Sequence, residues 1–220
     1  MTKAVVWKKV AWKFSVKGDV LVFKPLHENQ INEAISFFKR EYPGIKDSYY
    51  GCYVEKKFYR TEVALSNRWA THARKKPILF YVFESQKTGK IVAAVGANKD
   101  GHLPLIVSNV AAVDAQFRSA RVFKQLVAWY VKVVILSGII HGISVASSMN
   151  AAAQRAYLDC GFKVCGIVPG GDVVYDKKGK MRFVADVYFH IFGGGGEKLM
   201  VPDKHWDLVP EVKRLWRAMQ

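Results

Sequence analysis

Cysteines, acidic side chains and unbroken apolar runs of membrane length are all scarce in this chain of 220 residues. The three cysteines, Cys52, Cys160 and Cys165, are odd in number and include no CxxC pair. That pattern offers no zinc site, and a reduced, cytoplasmic setting with no metal is expected. Eighteen Asp and Glu face 34 Lys and Arg, a formal net charge of +16. An anionic partner is therefore expected: a nucleotide-like cofactor, an acidic substrate, RNA or a membrane surface. No RNA-binding motif is recognisable, so RNA rests on charge alone, and a solvated basic surface accounts for many of the lysines. Lysines break MTKAVVWKKVAWKF before an apolar core of a signal peptide can form. The longest apolar stretch, Val127 to Ala146, contains Lys132, Ser137-Gly138 and His141. It reads as a buried helix followed by a buried strand, with no membrane span. No internal repeat is present, and half the residues are hydrophobic, enough for one large domain with an appendage.

Apolar clusters flank Lys17-Gly18-Asp19 and predict an N-terminal β-hairpin. Ile31, Ala34, Ile35 and Phe38 lie at helix-face spacing, and Pro43-Gly44 ends that helix. A second, very basic helix is expected over 56–76, stopped by Pro77. ILFYVFES and IVAAVGAN then read as strands joined by a turn, and LIVSNVAAV as a central strand covered on both sides. A helix over about 120–136, the strand HGISVAS, the helix MNAAAQRAYLDC, the strand FKVCGIVP and the strand MRFVADVYFHIF complete the order. The last two strands are separated by a loop holding Gly170-Gly171. The pattern is an α/β fold with helices covering a mixed sheet, over 1–192. A glycine-rich linker and a C-terminal amphipathic helix follow over 193–220, and that tail docks on its own domain or in a homodimer.

Two segments carry chemistry. In NAAAQRAYLDCGF, Asn150, Ala153 and Tyr157 are spaced three and four apart, and Gly161 is suited to a left-handed helix stop. In LIVSNVAAVDAQFRSARVFKQLV, an apolar strand meets a helix through a loop with Arg118 and Arg121 but no glycine. First-turn N–H groups of a helix have no internal partner and attract phosphate. Together, in this order, the segments resemble the GCN5-related N-acetyltransferase (GNAT) superfamily. Asn150, Ala153, Ala156, Tyr157, Gly161 and Phe162 match one motif, and Asp114 with Phe117-Arg118 match part of the other.

The resemblance implies an acyl-CoA N-acyltransferase fold in which two parallel strands, LIVSNVAAV and HGISVAS, splay around acetyl-CoA or another acyl-CoA. It implies that backbone groups of Ala111, Ala112 and Val113 meet the pantetheine arm and polarise the thioester. Arg118, Ser119, Ala120, Arg121, Val122 and Phe123 would present N–H groups to the pyrophosphate. Asn150 would bind the cofactor, and Tyr157 would protonate the departing thiolate. The family's loop has glycine where this chain has Arg121, and a small residue where it has Phe123. Either the arginines replace close backbone approach with charge-assisted hydrogen bonds, or the bulk closes the site.

For a general base, Glu84, His102, His141, Asp186 and His190 qualify by type, and Ser108 with Asn109 by positioning a water. The acceptor pocket is expected among Tyr49, Tyr50, Tyr53, Phe58, Tyr59 and Trp69, flanked by Lys56, Lys57, Arg60, Arg68, Arg74, Lys75 and Lys76. Most of these residues are expected to pack their aromatic faces on the sheet and turn their cations to water; a few cations turned inward would select an acceptor with an anionic group beside its amine. The function expected is N-acetyl transfer to a small or amino-acid-like amine by direct attack. Two alternatives remain open: an aminoacyl-tRNA-dependent transferase of the same fold, and a non-catalytic acyl-CoA- or RNA-binding module.

Overall fold

The structure, a computed structural model, describes residues 5–48, 50–99, 103–175, 180–202 and 205–219. Tyr49 and His102 therefore lie outside the described residues, as do the side chains of Asn109, Ser119 and Ala120.

The N-terminal hairpin pairs β1 (Trp12–Val16) with β2 (Asp19–Pro25), closing on Val16 opposite Asp19. Lys17 and Gly18 both take positive φ, 49° and 71°, as a two-residue hairpin turn requires. Helix α1 (Ile31–Glu41) buries Ile31, Ala34, Phe37 and Phe38. The basic stretch expected as one helix forms two, α2 (Lys56–Thr61) and α3 (Trp69–Lys75). The cause is tertiary: Ile78 donates to the Glu62 carbonyl and accepts from the Ala64 N–H, which pulls Val63 into a β-bridge.

The sheet continues through β3 (Ile78–Ser85), β4 (Ile91–Lys99) and β5 (Leu105–Val113). Helix α4 (Val122–Leu136), β6 (His141–Ser147), α5 (Ala151–Asp159), β7 (Lys163–Tyr175) and β8 (Met181–Phe192) follow. Strand β7 runs past Pro169 through the glycine pair that the sequence suggested was a loop; the extra residues are absorbed as an irregularity between Val168 and Asp172. The strands lie in the order β1-β2-β3-β4-β5-β6-β8-β7, and only β5 and β6 are parallel.

Strand β3 shows why the sheet is covered on both faces. Leu79, Tyr81 and Phe83 enter one core with Trp7, Phe23 and α4, while Ile78, Phe80 and Val82 enter another with α1 and α2. Alternate side chains point to opposite faces of a strand, so an unbroken apolar run needs a layer on each side. A third cluster joins α4 and α5 to the far strands through Val127, Tyr157, Phe162 and Phe189. Strand β5 is central but not fully covered, with Val107 38% exposed. The glycines over 193–196 form a turn held to the sheet, with the Gly193 N–H on the Ile140 carbonyl. In the tail, Trp206 packs against Trp216 of α6 (Pro210–Met219). Among the described residues no helix is long and apolar enough to cross a membrane.

Candidate active site

The parallel ladder between β5 and β6 lasts only three residues, ending with Val107 opposite Ile143. Beyond it the two strands diverge, while β5 stays paired with β4 and β6 with β8. A register shift places Asn109 as an extra residue opposite Gly96 and Ala97, just past the point of divergence. Such a bulge bends a strand and strengthens its local twist, which turns β5 away from β6.

The Tyr157 hydroxyl sits at that point, beside the side chains of Ser108 of β5 and Ser144 of β6, the first residue of each strand past the ladder, both of which favour its ionised form. Burial pushes its pKa up to about 12, so the phenol keeps its proton throughout the neutral range. Its ring is held by Phe162, Phe189 and Phe123, at centroid distances of 5.1, 5.2 and 5.9 Å. The helix that carries it starts at Asn150, which is the N-cap and not part of the helical face. Its Oδ1 accepts from the Ala153 N–H at 3.0 Å, which leaves the amide N–H₂ for a ligand. Gly161, at φ 89°, terminates the helix as expected.

Two cavities meet at Phe123 and Asn150. The inner one, about 140 Å³, contains Tyr157, Ser108, Tyr50, Asp172 and Asp186 on its walls. The outer one, about 440 Å³, is bounded by Ala111, Ala112, Val113, Arg118, Arg121 and Arg155, among others. Phe123 lies on the shared wall of the two, with Tyr42, Ala111, Asn150 and Ala153. Val122 faces away from both, fully buried in the core, so only its backbone can serve a ligand.

The turn between β5 and α4 resolves the missing glycine. Asp114 accepts from the Gln116 N–H and starts a 3-10 turn over Ala115–Ala120. Arg121 then takes φ 60° and ψ 13°, the left-handed conformation, immediately before the first turn of α4. A non-glycine residue pays roughly 1 kcal/mol for this geometry. Arg118 is committed within the protein: its Nε donates to the Val113 carbonyl at 3.1 Å and its Nη2 to Glu41 at 2.8 Å. Arg40 bridges Glu41 and Asp114. Lys124 pairs with Asp159. Arg121 and Arg155 have no ion-pair partner among the described residues, so two guanidinium charges are available at the outer cavity.

The Tyr42 hydroxyl donates to the Ala111 carbonyl at 2.6 Å; the side chain as a whole is 41% exposed, but loss of water around its hydroxyl end, with the charge of Asp172 nearby, raises its pKa to about 12. Tyr42 was not singled out in the sequence; its only signal is a tyrosine next to the helix-ending Pro43-Gly44. Asp172 was missed for a similar reason, since it follows what read as an ordinary glycine loop.

Of the acids and imidazoles that qualified as bases, Asp186 alone among the described residues lines the inner cavity. It is 6% exposed, and burial together with the nearby Asp172 charge raises its pKa. Glu84 is taken by Lys24 and Gln30. His141 stacks on Phe192 and His190 meets it edge-on, on the opposite part of β6 and β8.

Most of the aromatic and basic residues around the early helices pack on the sheet or face water, the arrangement expected for most of them. Tyr53 and Tyr59 are core residues, and Trp69 is fastened to the Trp7 carbonyl through Nε1. Lys56, Lys57, Arg60, Arg68, Arg74 and Lys75 are exposed, and Lys76 is tied to the Arg60 and Thr61 carbonyls. Of that group's described residues only Tyr50 lines the inner cavity. Among the described residues no three metal-ligating side chains come together.

No protein-family model matches the sequence, and neither does any curated protein. Solved structures do. A ribosomal-protein alanine acetyltransferase from Vibrio fischeri superposes with a TM-score of 0.63 at 8% identity, over 84% of this chain and 97% of that one. A GNAT superfamily phosphinothricin acetyltransferase from Sinorhizobium meliloti, in complex with AcCoA, gives 0.62 at 12% identity, over 87% and 96%. A spermidine N-acetyltransferase chimera from Vibrio cholerae gives 0.58 at 12% identity, over 81% and 96%. With its two central parallel strands splayed and helices on both faces of a mixed sheet, the chain has the fold of the GNAT acetyltransferases.

Proposed function

We propose that the protein is an acyl-CoA-dependent N-acyltransferase that moves acetyl from acetyl-CoA to the amine of a small acceptor by direct attack. The observation that carries this reading is the Tyr157 hydroxyl held between Ser108 and Ser144 where β5 and β6 part, with a basic cavity leading away from it.

The residues present fit such a cofactor. Arg121 and Arg155 supply unpaired charge for its phosphates, and the first N–H groups of α4 lie beside them. Asn150 contributes its amide. An amide-bearing arm running along β5 meets two carbonyls, of Ala111 and Val113, that Tyr42 and Arg118 now engage, and it competes with those donors. Arg118 is therefore a positioning residue in this reading, and Arg121 is the phosphate ligand.

Acetyl-CoA supplies an activated thioester, and this chain's residues handle the protons. An ammonium acceptor must lose two protons to become an amide. Asp186 takes the first and passes it to solvent, freeing the nitrogen lone pair. As the new C–N bond forms and the C–S bond breaks, Tyr157 gives its proton to the departing sulfur, and the second amine proton replaces it. Three free thiols, Cys52, Cys160 and Cys165, are consistent with a reduced, cytoplasmic setting.

Calorimetric titration with acetyl-CoA, for the parent and for an Arg121→Ala, Arg155→Ala double variant, tests the binding half. Thiol release in the presence of an amine panel tests the transfer half. Saturable binding that the double variant loses, with amine-dependent thiol release, is the expected outcome. No binding by the parent overturns the reading, and binding without thiol release across the panel replaces it with a non-catalytic acyl-CoA-binding module.

A further inference from the structure

A chain with 34 cationic side chains against 18 anionic ones places two carboxylates, Asp172 and Asp186, in its inner cavity, and among the described residues no lysine or arginine lines that cavity. Neither carboxylate has an ion-pair partner among the described residues. Among the described residues the Asp172 side chain accepts only from the adjacent Val173 N–H, at 2.8 Å. Asp186 is buried on β8, and the chain backbone at Gly171 closes against it: a β-carbon there would stand 2.8 Å from Oδ2.

Two like charges brought together with no counter-charge are unfavourable unless a cation joins them or one is neutralised. The raised pKa of Asp186, partly owed to Asp172, is the same repulsion seen from the proton's side. The walls complete the description. The hydroxyls of Tyr42 and Tyr50 sense the Asp172 charge, so their rings border the same space, and a tyrosine ring face also favours a cation. The inner cavity, about 140 Å³ against about 440 Å³ for the outer one, suits a short alkyl chain. The anionic acceptor suggested by the basic helices is disfavoured, because those cations point to solvent.

Building on the transferase reading, we infer that the acceptor is a short linear dication, a diamine of about four carbons, with its reacting amine at Asp186 and its distal ammonium at Asp172. Asp172 then sets specificity, and Asp186 serves both binding and proton removal. The Gly170-Gly171 irregularity in β7 acquires a purpose: it brings Asp172 over the buried carboxylate without a side chain in between.

The test is equilibrium binding by calorimetry of three isosteric ligands, 1,4-diaminobutane, butylamine and 4-aminobutanoate, to the parent and to Asp172→Asn. The diamine is expected to bind at least tenfold more tightly than butylamine, and 4-aminobutanoate most weakly. Asp172→Asn is expected to remove most of the diamine's advantage while changing butylamine affinity by less than about threefold. Equal affinity for diamine and monoamine in the parent overturns the inference, as does undetectable diamine binding or an advantage that Asp172→Asn leaves intact. The parent comparison stands even if the variant fails to fold. Because these readings need no turnover, they separate from the transferase reading, which fails instead when acetyl-CoA is bound but no thiol is released.

Discussion

Gly171 lies so close to Asp186 that a β-carbon on it would stand 2.8 Å from Oδ2 and 2.9 Å from the aspartate's own Cβ. Either the backbone of β7 or the carboxylate must move if this glycine gains a side chain. Gly171→Ala is therefore expected to cost about 1–2 kcal/mol of stability, as overpacking does. With Asp186 displaced, kcat/KM for an amine is expected to fall at least tenfold. Affinity for acetyl-CoA should stay within about twofold, because Gly171 does not border the outer cavity. A thermal melt, an amine titration and a calorimetric titration check the three parts separately.

Asp186 gives a pH dependence with a definite sign. Its carboxyl titrates above its ordinary value of 3.8, chiefly through burial and then through Asp172. The folded state therefore holds a proton that the unfolded chain releases earlier. Stability contributed by this group is present at low pH and is lost as pH rises from the ordinary value through the raised one. Asp186→Asn keeps the shape without the charge, so at pH 7 it is expected to raise the melting temperature by about 2 °C or more, roughly 1 kcal/mol for a domain of this size. The same substitution removes the proton acceptor, and kcat is expected to drop about 100-fold. In the parent, the acidic limb of kcat/KM should lie above the ordinary carboxylate value. A variant both less stable and fully active would contradict the assignment.

Much of this was legible in the chain because local signals agreed with the fold. The alternation in ILFYVFES, the Lys17-Gly18 turn and the Gly161 stop each dictate backbone geometry through one or two residues. The segments holding Asn150, Tyr157 and Arg121 likewise fall at one cleft. Other features depend on partners distant in sequence. Nothing near Val63 announces that Ile78 will interrupt a helix there. The sign of the charge in the inner cavity is not readable from the composition: cationic residues dominate the count, whereas two aspartates on β7 and β8 set the local field. A count of charges along a chain does not say which ones face inward.

Arg121 separates backbone strain from charge. Its left-handed conformation, φ 60°, is unfavourable for arginine and free for glycine. Arg121→Gly is expected to stabilise the fold by about 1 kcal/mol, seen as a rise of about 2–4 °C in the melting temperature. Arg121→Ala retains the strain and should gain nothing. Both lose a guanidinium that has no protein partner among the described residues, and both should weaken acetyl-CoA binding about tenfold, as the loss of a charge-assisted hydrogen bond does. A stability gain in both variants, or unchanged affinity in both, would remove Arg121 from the phosphate role.

Phe123 and Tyr157 meet edge to face, 5.9 Å apart at 87°, and Phe123 borders both cavities. The pair supports two contrasting substitutions. Tyr157→Phe removes only the hydroxyl and leaves the contacts with Phe162 and Phe189, so folding is expected to survive. The loss falls on proton delivery to the leaving sulfur, and kcat should fall about 100-fold with KM for acetyl-CoA nearly unchanged. Ser108 and Ser144 are left facing an apolar edge, which costs about 1 kcal/mol in stability. Phe123→Ala keeps the phenol but removes the ring from the shared wall. Acyl-chain selectivity is then the sensitive readout: butyryl-CoA turnover relative to acetyl-CoA should rise several-fold as the two cavities merge. If the acyl preference stays fixed while the melting temperature falls, Phe123 only supports the Tyr157 ring, and the limit on chain length lies elsewhere in the cleft.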